Sequence, residues 1–150
     1  MPNLKFKLED LTRQIEEHEG RRDTMYKDSK GHLTIGVGHK LEGNPIPQEA
    51  IDIILRADIY EAIEETLKLC IRENLEWEEL PPIIQETLVE MVFQMGTSRV
   101  RGFKFMLEAA RAENWKAFRF EMLDSKWART DSPARACKLA DKVMGLWQNF

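Results

Sequence analysis

The chain has 150 residues, of which 43% are hydrophobic and 32% are charged, and its formal net charge at pH 7 is −4. These values are typical of an ordinary soluble protein of one domain that buries its own core without disulfide or metal cross-links. No apolar run is long enough to span a membrane, and the amino terminus lacks the apolar run of a signal peptide. Membrane insertion and classical secretion are therefore not expected.

The charge is unevenly distributed along the chain. Residues 1–98 contain 11 Lys and Arg against 20 Asp and Glu, whereas residues 99–150 contain 11 against 6. The basic part is suited to an anionic polymer, but ordinary solvation of the surface explains the same asymmetry. No recognised nucleic-acid-binding motif accompanies the basic residues, so a nucleic-acid partner is not expected.

The first half of the chain predicts a helix, a small sheet and a second, longer helix. Apolar residues recur at helical spacing from Leu8 to Glu19, and Gly20 follows as a C-terminal cap. Residues 25–38 contain two short apolar runs around a turn-rich segment, which indicates a β-hairpin followed by a tight loop. From residue 48 to about residue 70, apolar residues again recur at helical intervals and predict a long amphipathic helix.

The second half of the chain predicts helices only. Pro81-Pro82 opens a helix over residues 83–95, and its apolar residues are dense enough for a buried core helix. Gly96 ends this helix. Shorter helices are predicted around residues 103–110, 115–123 and 133–146.

This order of elements predicts an α+β protein with its strands segregated at one end of a two-lobed fold. A small β-hairpin lobe, approximately residues 16–47, is joined by the long helix, approximately residues 48–70, to a larger all-helical lobe. The helical lobe comprises approximately residues 1–15 and 71–150. Both lobes belong to a single domain, and a cleft is expected between them.

The cysteines and histidines predict neither a disulfide framework nor a metal site. Cys70 and Cys137 lie on predicted amphipathic helices, and one isolated pair in a chain of this length indicates reduced, core-packed thiols. No Cys or carboxylate accompanies His18, His32 or His39 at the spacing of a zinc site. We therefore expect no bound metal ion.

One segment combines residues that suit acid-base chemistry. It places a carboxylate, Glu19, at a helix end, ahead of a second carboxylate and a hydroxyl, Asp28 and Thr34, on the hairpin. Hydrolysis of a glycosidic bond needs a carboxylic acid that protonates the leaving oxygen and a second polar group that handles the nucleophile or the developing oxocarbenium charge. Each of the three is also a common structural choice at its position, so their spacing alone leaves the function undecided.

Two longer motifs match a known family. The first consists of Glu19-Gly20, Tyr26-Lys27-Asp28, Gly31 and Thr34-Ile35-Gly36-Val37-Gly38-His39. This run resembles the E-G…Y-x-D…G-x-x-T-I-G-x-G-H signature of the bacteriophage-type lysozymes, a family of glycoside hydrolases. The second motif and several shorter matches cover residues 91–96, 102–103, 125–127, 132–135 and 147. The resemblance therefore spans nearly the whole chain.

The resemblance implies a lysozyme that hydrolyses the β-1,4 bond between N-acetylmuramic acid and N-acetylglucosamine in peptidoglycan. It implies a monomer that needs no cofactor. In that assignment Glu19 is the general acid, Asp28 is the second carboxylate, and Thr34 helps to place the attacking water. Because water rather than Asp28 attacks the sugar, the implied mechanism is inverting, with the carboxyl groups of Glu19 and Asp28 roughly 6.5 to 9.5 Å apart.

The resemblance also implies where the saccharide binds. Cleft positions whose side chains match the family are Phe93, Gln94 and Arg135, with the arginine close to the acid. Further cleft positions, whose side-chain types differ from the family pattern, are Lys40, Met106 and Glu121. The same alignment sets His39 beside Asp58 on the connecting helix, where the two are expected to form a stabilising charge pair.

Two other functions stay open at this point. A fold does not guarantee activity, so the first is a catalytically silent cell-wall-binding or regulatory protein, although the retention of Glu19, Asp28 and Thr34 argues against it. The second is an enzyme that acts on chitin-like polymers, which the same acid would serve. For a lysozyme without a signal peptide, the resemblance implies synthesis in the cytoplasm of a bacterial host and action on the cell wall after the membrane has been permeabilised.

Overall fold

The computed structural model describes residues 5–148, which are mostly helical with a small antiparallel sheet near the amino terminus. This arrangement confirms the predicted α+β class. The chain divides into two compact units, one reaching to Asp52 and the other starting at Ile53. Among the described residues, no helix is both long enough and apolar enough to cross a membrane.

Over residues 5–47, the first unit contains one helix and a three-stranded sheet. Its elements are α1 (Leu8–Glu19), β1 (Arg22–Lys27), β2 (Leu33–Gly36) and β3 (His39–Lys40). The strands lie in the order β1-β2-β3, and both pairs are antiparallel. The predicted hairpin is present as β1 and β2, and the predicted tight loop follows it at residues 37–38, but β3, which pairs with β2 after this loop, was not predicted. A strand of two residues is too short for apolar periodicity to reveal.

The longest helix, α2 (Gln48–Arg72), crosses the boundary between the two units and ends two residues beyond the predicted position. The remaining helices of eight residues or more are α3 (Pro82–Met95), α5 (Lys104–Arg111), α6 (Trp115–Leu123) and α7 (Pro133–Gln148). All four begin and end within two residues of the prediction. Three short elements were not predicted: a 3₁₀ turn (Trp77–Glu79), α4 (Thr97–Arg101) and a π-helical turn (Trp127–Asp131).

The hydrophobic core of the second unit forms around α3, as its apolar content predicts. Ile84, Leu88 and Met91 of this helix are fully buried. The indole of Trp127, only 2% exposed, meets the ring of Phe103 edge-on with 6.3 Å between the ring centres. A large aromatic side chain buried in this way contributes much of the apolar area that stabilises a small helical unit.

The two cysteines lie in different environments, although both thiols are free as expected. Cys70 is buried on α2, and this burial raises the pKa of its thiol to about 11. Cys137 is exposed, so the prediction that it packs in the core is wrong. It lies off the buried stripe of α7, which consists of Ala136, Leu139, Ala140 and Val143.

Candidate active site

Glu19 occupies the last position of α1, and the glycine after it sets that position. Gly20 has a φ of 76°, in the left-handed region that favours glycine, and its N–H donates a hydrogen bond of 2.9 Å to the carbonyl of Glu16. The helix therefore ends at Glu19 and the chain turns directly into β1. The Glu19 side chain is left exposed.

The carboxyl group of Glu19 lies against the turn between β2 and β3. This turn contains Gly38, which has a φ of 70°. An ideal Cβ on Gly38 would lie 3.1 Å from Glu19 Oε2 and 3.3 Å from its carboxyl carbon. The end of α1 therefore approaches the sheet through the carboxyl group of Glu19, which lies next to a residue without a side chain, Gly38.

Asp28 directly follows β1 and is held by the backbone of the turn that comes after it. Its Oδ1 accepts hydrogen bonds from the N–H groups of His32, at 2.8 Å, and Lys30, at 2.9 Å. Its Oδ2 lies 3.9 Å from the ammonium nitrogen of Lys40 on β3. The hydrogen bond from His32, followed by that from Lys30 and the nearby positive charges, lowers the pKa of Asp28 below its usual value of 3.8. Asp28 is therefore an anion fixed in place.

The lowered pKa of Asp28 predicts a pH-dependent contribution to stability. Because the folded protein binds the proton less tightly than the unfolded chain does, the contribution is complete above the ordinary pKa of 3.8 and is lost as the pH falls through the lower folded value. Urea denaturation of wild type and Asp28→Asn between about pH 2 and pH 7 measures it. Wild type should be the more stable at pH 6, and the difference should shrink below about pH 4.

The matched control for this experiment is Asp23→Asn on β1. Asp23 is exposed, and its carboxylate takes no part in a hydrogen bond or ion pair among residues 5–52. Its substitution should leave the pH dependence of the unfolding free energy as in wild type. A constant difference between wild type and Asp28→Asn over the whole pH range would contradict the stabilising role of the Asp28 charge.

Thr34 lies in the middle strand and is only 2% exposed. Its strand neighbours are Tyr26 on β1 and Lys40 on β3. The Thr34 hydroxyl donates a hydrogen bond of 2.9 Å to the carbonyl of His32, the residue whose N–H binds Asp28. The backbone of His32 therefore links the second carboxylate to the hydroxyl. Sequence reasoning missed this role because it depends on the main chain, whose contacts a side-chain motif does not display.

His39 and Asp58 lie in different units, and each is described by itself. His39 is on β3, with its Nε2 buried and without a hydrogen-bond partner among the described residues. Asp58 is exposed on α2. The charge pair between them stays a prediction.

In the second unit, two of the predicted saccharide-binding residues line one mostly apolar hollow of about 610 Å³. They are Phe93, 43% exposed, and Arg135, whose Nε lies 4.0 Å from Glu90 Oε2. Apolar residues that complete the lining include Leu55, Ile59, Ile63 and Val89. The neighbouring Gln94 is held differently, because its Oε1 accepts a hydrogen bond of 3.0 Å from the indole N–H of Trp127.

The other two predicted residues of the second unit lie in another hollow, of about 320 Å³. Glu121 is half-buried there, and Met106 is fully buried among the residues of the hydrophobic core. Lys40 belongs to the first unit, where it faces Asp28. Among residues 5–148, no group of three or more His, Cys, Asp or Glu side chains is placed to hold a metal ion.

Comparison with known proteins identifies the family. A family model described as phage lysozyme matches residues 16–142, which contain all the candidate site residues. The chain belongs to the phage lysozyme family. The small sheet followed by a run of helices is accordingly an α+β lysozyme fold.

Several known proteins are similar in sequence to most of this chain. It is 29% identical to the probable T4-type lysozyme 2 of Dictyostelium discoideum, over 79% of this chain and 84% of the relative. It is 28% identical to the peptidoglycan hydrolase gp36 of Pseudomonas phage phiKMV, over 89% of this chain but only 15% of the relative. It is 25% identical to the pre-baseplate central spike protein Gp5 of Enterobacteria phage T4, over 78% of this chain and 24% of the relative.

Proposed function

We propose that this member of the phage lysozyme family hydrolyses peptidoglycan at the β-1,4 bond between N-acetylmuramic acid and N-acetylglucosamine. The observation that carries the proposal is an exposed carboxyl group, Glu19, set against a sheet on which a second carboxylate, Asp28, is held as an anion. The family membership and the relatives described as lysozymes and as a peptidoglycan hydrolase support the same substrate.

Glu19 is the proton donor in this proposal. A glycosidic oxygen leaves as a hydroxyl group only if it is protonated while the bond to the anomeric carbon breaks. Glu19 is exposed, and among residues 5–52 no ion pair or hydrogen bond engages its carboxyl group. Within its own unit, the group is therefore free to meet a glycosidic oxygen.

Asp28 is suited to stabilising charge rather than to attacking the sugar. Its Oδ1 accepts two backbone hydrogen bonds, and its Oδ2 faces the ammonium group of Lys40. A covalent attack would weaken these charge-assisted interactions, whereas stabilisation of an oxocarbenium ion keeps them. We therefore propose that water attacks the anomeric carbon while the Asp28 anion stabilises the developing positive charge, and that the proton which this water loses passes to the solvent.

Thr34 orients the attacking water in this mechanism. Its hydroxyl proton is donated to the carbonyl of His32, so the hydroxyl oxygen keeps its capacity to accept a hydrogen bond from water. A positioned water in place of a carboxylate nucleophile makes the reaction inverting.

Saccharide binding is proposed for the six residues to which the resemblance assigns it. Phe93 offers an exposed aromatic face, and Arg135 offers a cation in the same hollow. Gln94 offers an amide whose orientation the indole of Trp127 holds. Lys40 and Glu121 complete the polar part of the set, and Met106, which is fully buried, is proposed to shape the hollow beside Glu121 rather than to touch the sugar. We further propose that the protein works as a monomer, without a cofactor, on the bacterial cell wall.

The test of this function is digestion of purified peptidoglycan followed by analysis of the new reducing ends. N-acetylmuramic acid is expected at these ends. A proton spectrum recorded early in the digestion should show the α-anomer first, because inversion at a β-linked centre yields that anomer. Chitin incubated with the protein in parallel should not be cleaved.

Each other outcome of the digestion contradicts a stated part of the proposal. N-acetylglucosamine ends would contradict the bond assignment, and cleavage of chitin instead of peptidoglycan would contradict the substrate. Binding to peptidoglycan without cleavage would favour the catalytically silent module. Early appearance of the β-anomer, or a glycosyl adduct on Asp28, would replace the inverting mechanism by a retaining one.

A further inference from the structure

The Glu19 carboxyl group lies beside a turn of the sheet without being bonded to it. Among residues 5–52 it takes part in no hydrogen bond or ion pair, although catalytic carboxyl groups need a defined position. What it meets in this unit is the turn between β2 and β3, at Gly38. This turn is therefore the part of the first unit that borders the carboxyl group.

Two glycines, one at the end of β2 and one in the turn, differ in what surrounds them. Gly36 and Gly38 have similar left-handed φ values, 65° and 70°, so a side chain at either one strains the backbone to a similar extent. An ideal Cβ on Gly36 would have no atom within 4 Å, whereas one on Gly38 would press on the Glu19 carboxyl group at 3.1 Å. The backbone conformation alone accounts for glycine at position 36. At position 38, a side chain would also compete for space with the Glu19 carboxyl group.

We infer that Gly38 is a positioning residue for the proton donor: the missing side chain at this turn lets the Glu19 carboxyl group rest where it meets the glycosidic oxygen. The inference rests on the proposed function, since it assigns Gly38 a part in the same reaction. Gly38 touches no reacting atom in this scheme. It acts through Glu19.

Because of this contact, we expect a methyl group at position 38 to lower the rate of hydrolysis more than it lowers the stability of the fold. The carboxyl group is the far end of a flexible, exposed side chain, so it can move by a few tenths of an ångström to admit a methyl group at little cost in stability. Proton transfer is far less tolerant, because a displacement of about 1 Å is enough to lower a rate by about 10²-fold. A smaller displacement should therefore lower turnover by about tenfold.

The experiment compares Gly38→Ala with the matched variant Gly36→Ala. Both should show similar decreases in thermal midpoint, because both place alanine at a left-handed φ. Initial rates over a range of peptidoglycan concentrations should show kcat about tenfold lower in Gly38→Ala than in Gly36→Ala, with KM within about twofold. In a Glu19→Gln background, Gly38→Ala should lower the residual rate no further, because the two residues act as one unit.

Equal losses of kcat in the two alanine variants would overturn the inference, as would a loss in Gly38→Ala that resides in KM. If either alanine variant fails to fold, the same comparison is made with Gly38→Asn and Gly36→Asn, since asparagine tolerates left-handed φ values better than alanine. Failure of the proposed function has a different result: wild type itself would not cleave peptidoglycan. Failure of the inference alone leaves wild-type cleavage intact and the paired variants equal.

Discussion

Glu19→Gln is expected to lower the rate of peptidoglycan hydrolysis by about 10²-fold or more, because an amide cannot donate the proton that the leaving oxygen needs. The substitution keeps the shape of the side chain, which is exposed at the end of α1. The thermal midpoint should therefore stay close to that of wild type. Clearing of a peptidoglycan suspension measures the rate, and circular dichroism measures the fold.

The matched control is Glu17→Gln, which makes the same chemical change on the same helix. Glu17 is exposed, and it takes part in no hydrogen bond or ion pair among residues 5–52. Its substitution should leave the rate within about twofold of wild type. Near-normal hydrolysis by a folded Glu19→Gln protein would remove Glu19 from the mechanism, and equal losses in both variants would indicate a general effect of charge.

Ile84→Ala is expected to reduce the free energy of unfolding by about 2 to 5 kcal/mol, the largest stability effect among the substitutions considered. Ile84 lies on α3 and is 0% exposed, so the substitution removes buried methyl groups and leaves a cavity in a well-packed core. Urea denaturation followed by tryptophan fluorescence measures the change. A midpoint shift without a change in slope shows that stability, and not the compactness of either state, has changed.

Ile71→Ala is the control for this effect, because it makes the same change on a helical surface. Ile71 lies on α2 and is 77% exposed. The substitution should change the free energy of unfolding by less than about 0.5 kcal/mol, since no buried contact is lost and alanine favours the helix slightly more than isoleucine does. Comparable losses in the two variants would contradict the assignment of α3 to the core.

The long helices were predictable from the sequence because each repeats its buried positions over several turns. The apolar residues of α3 recur often enough to predict both a helix and its burial, and Gly96 marks its end. Glycine stops a helix and proline starts one through their own backbone conformation. The last residue of α1 was therefore predictable from Gly20, and the first residue of α7 from Pro133. Short elements such as α4 contain too few residues for a period to appear.

Burial of individual side chains was less predictable than the helices that carry them. Cys137 is on a helix that the sequence predicts, yet it is exposed. The buried face of α7 is chosen by what packs against it, and its small residues Ala136 and Ala140 suit close packing there. A single hydrophobic residue at the margin of such a face can lie on either side, because the helical period alone does not set the width of the contact.

The sequence by itself determined the family, the α+β class and the three residues proposed for catalysis, because a motif is a matter of residue type and spacing. The folded structure decided how Asp28 is held, since its hydrogen-bond donors are backbone N–H groups that any residue except proline would supply. It also decided that Gly38 lies against the Glu19 carboxyl group, 19 positions earlier in the chain. A glycine in the sequence indicates backbone freedom; only the fold shows which side chain occupies the space that its missing Cβ leaves open.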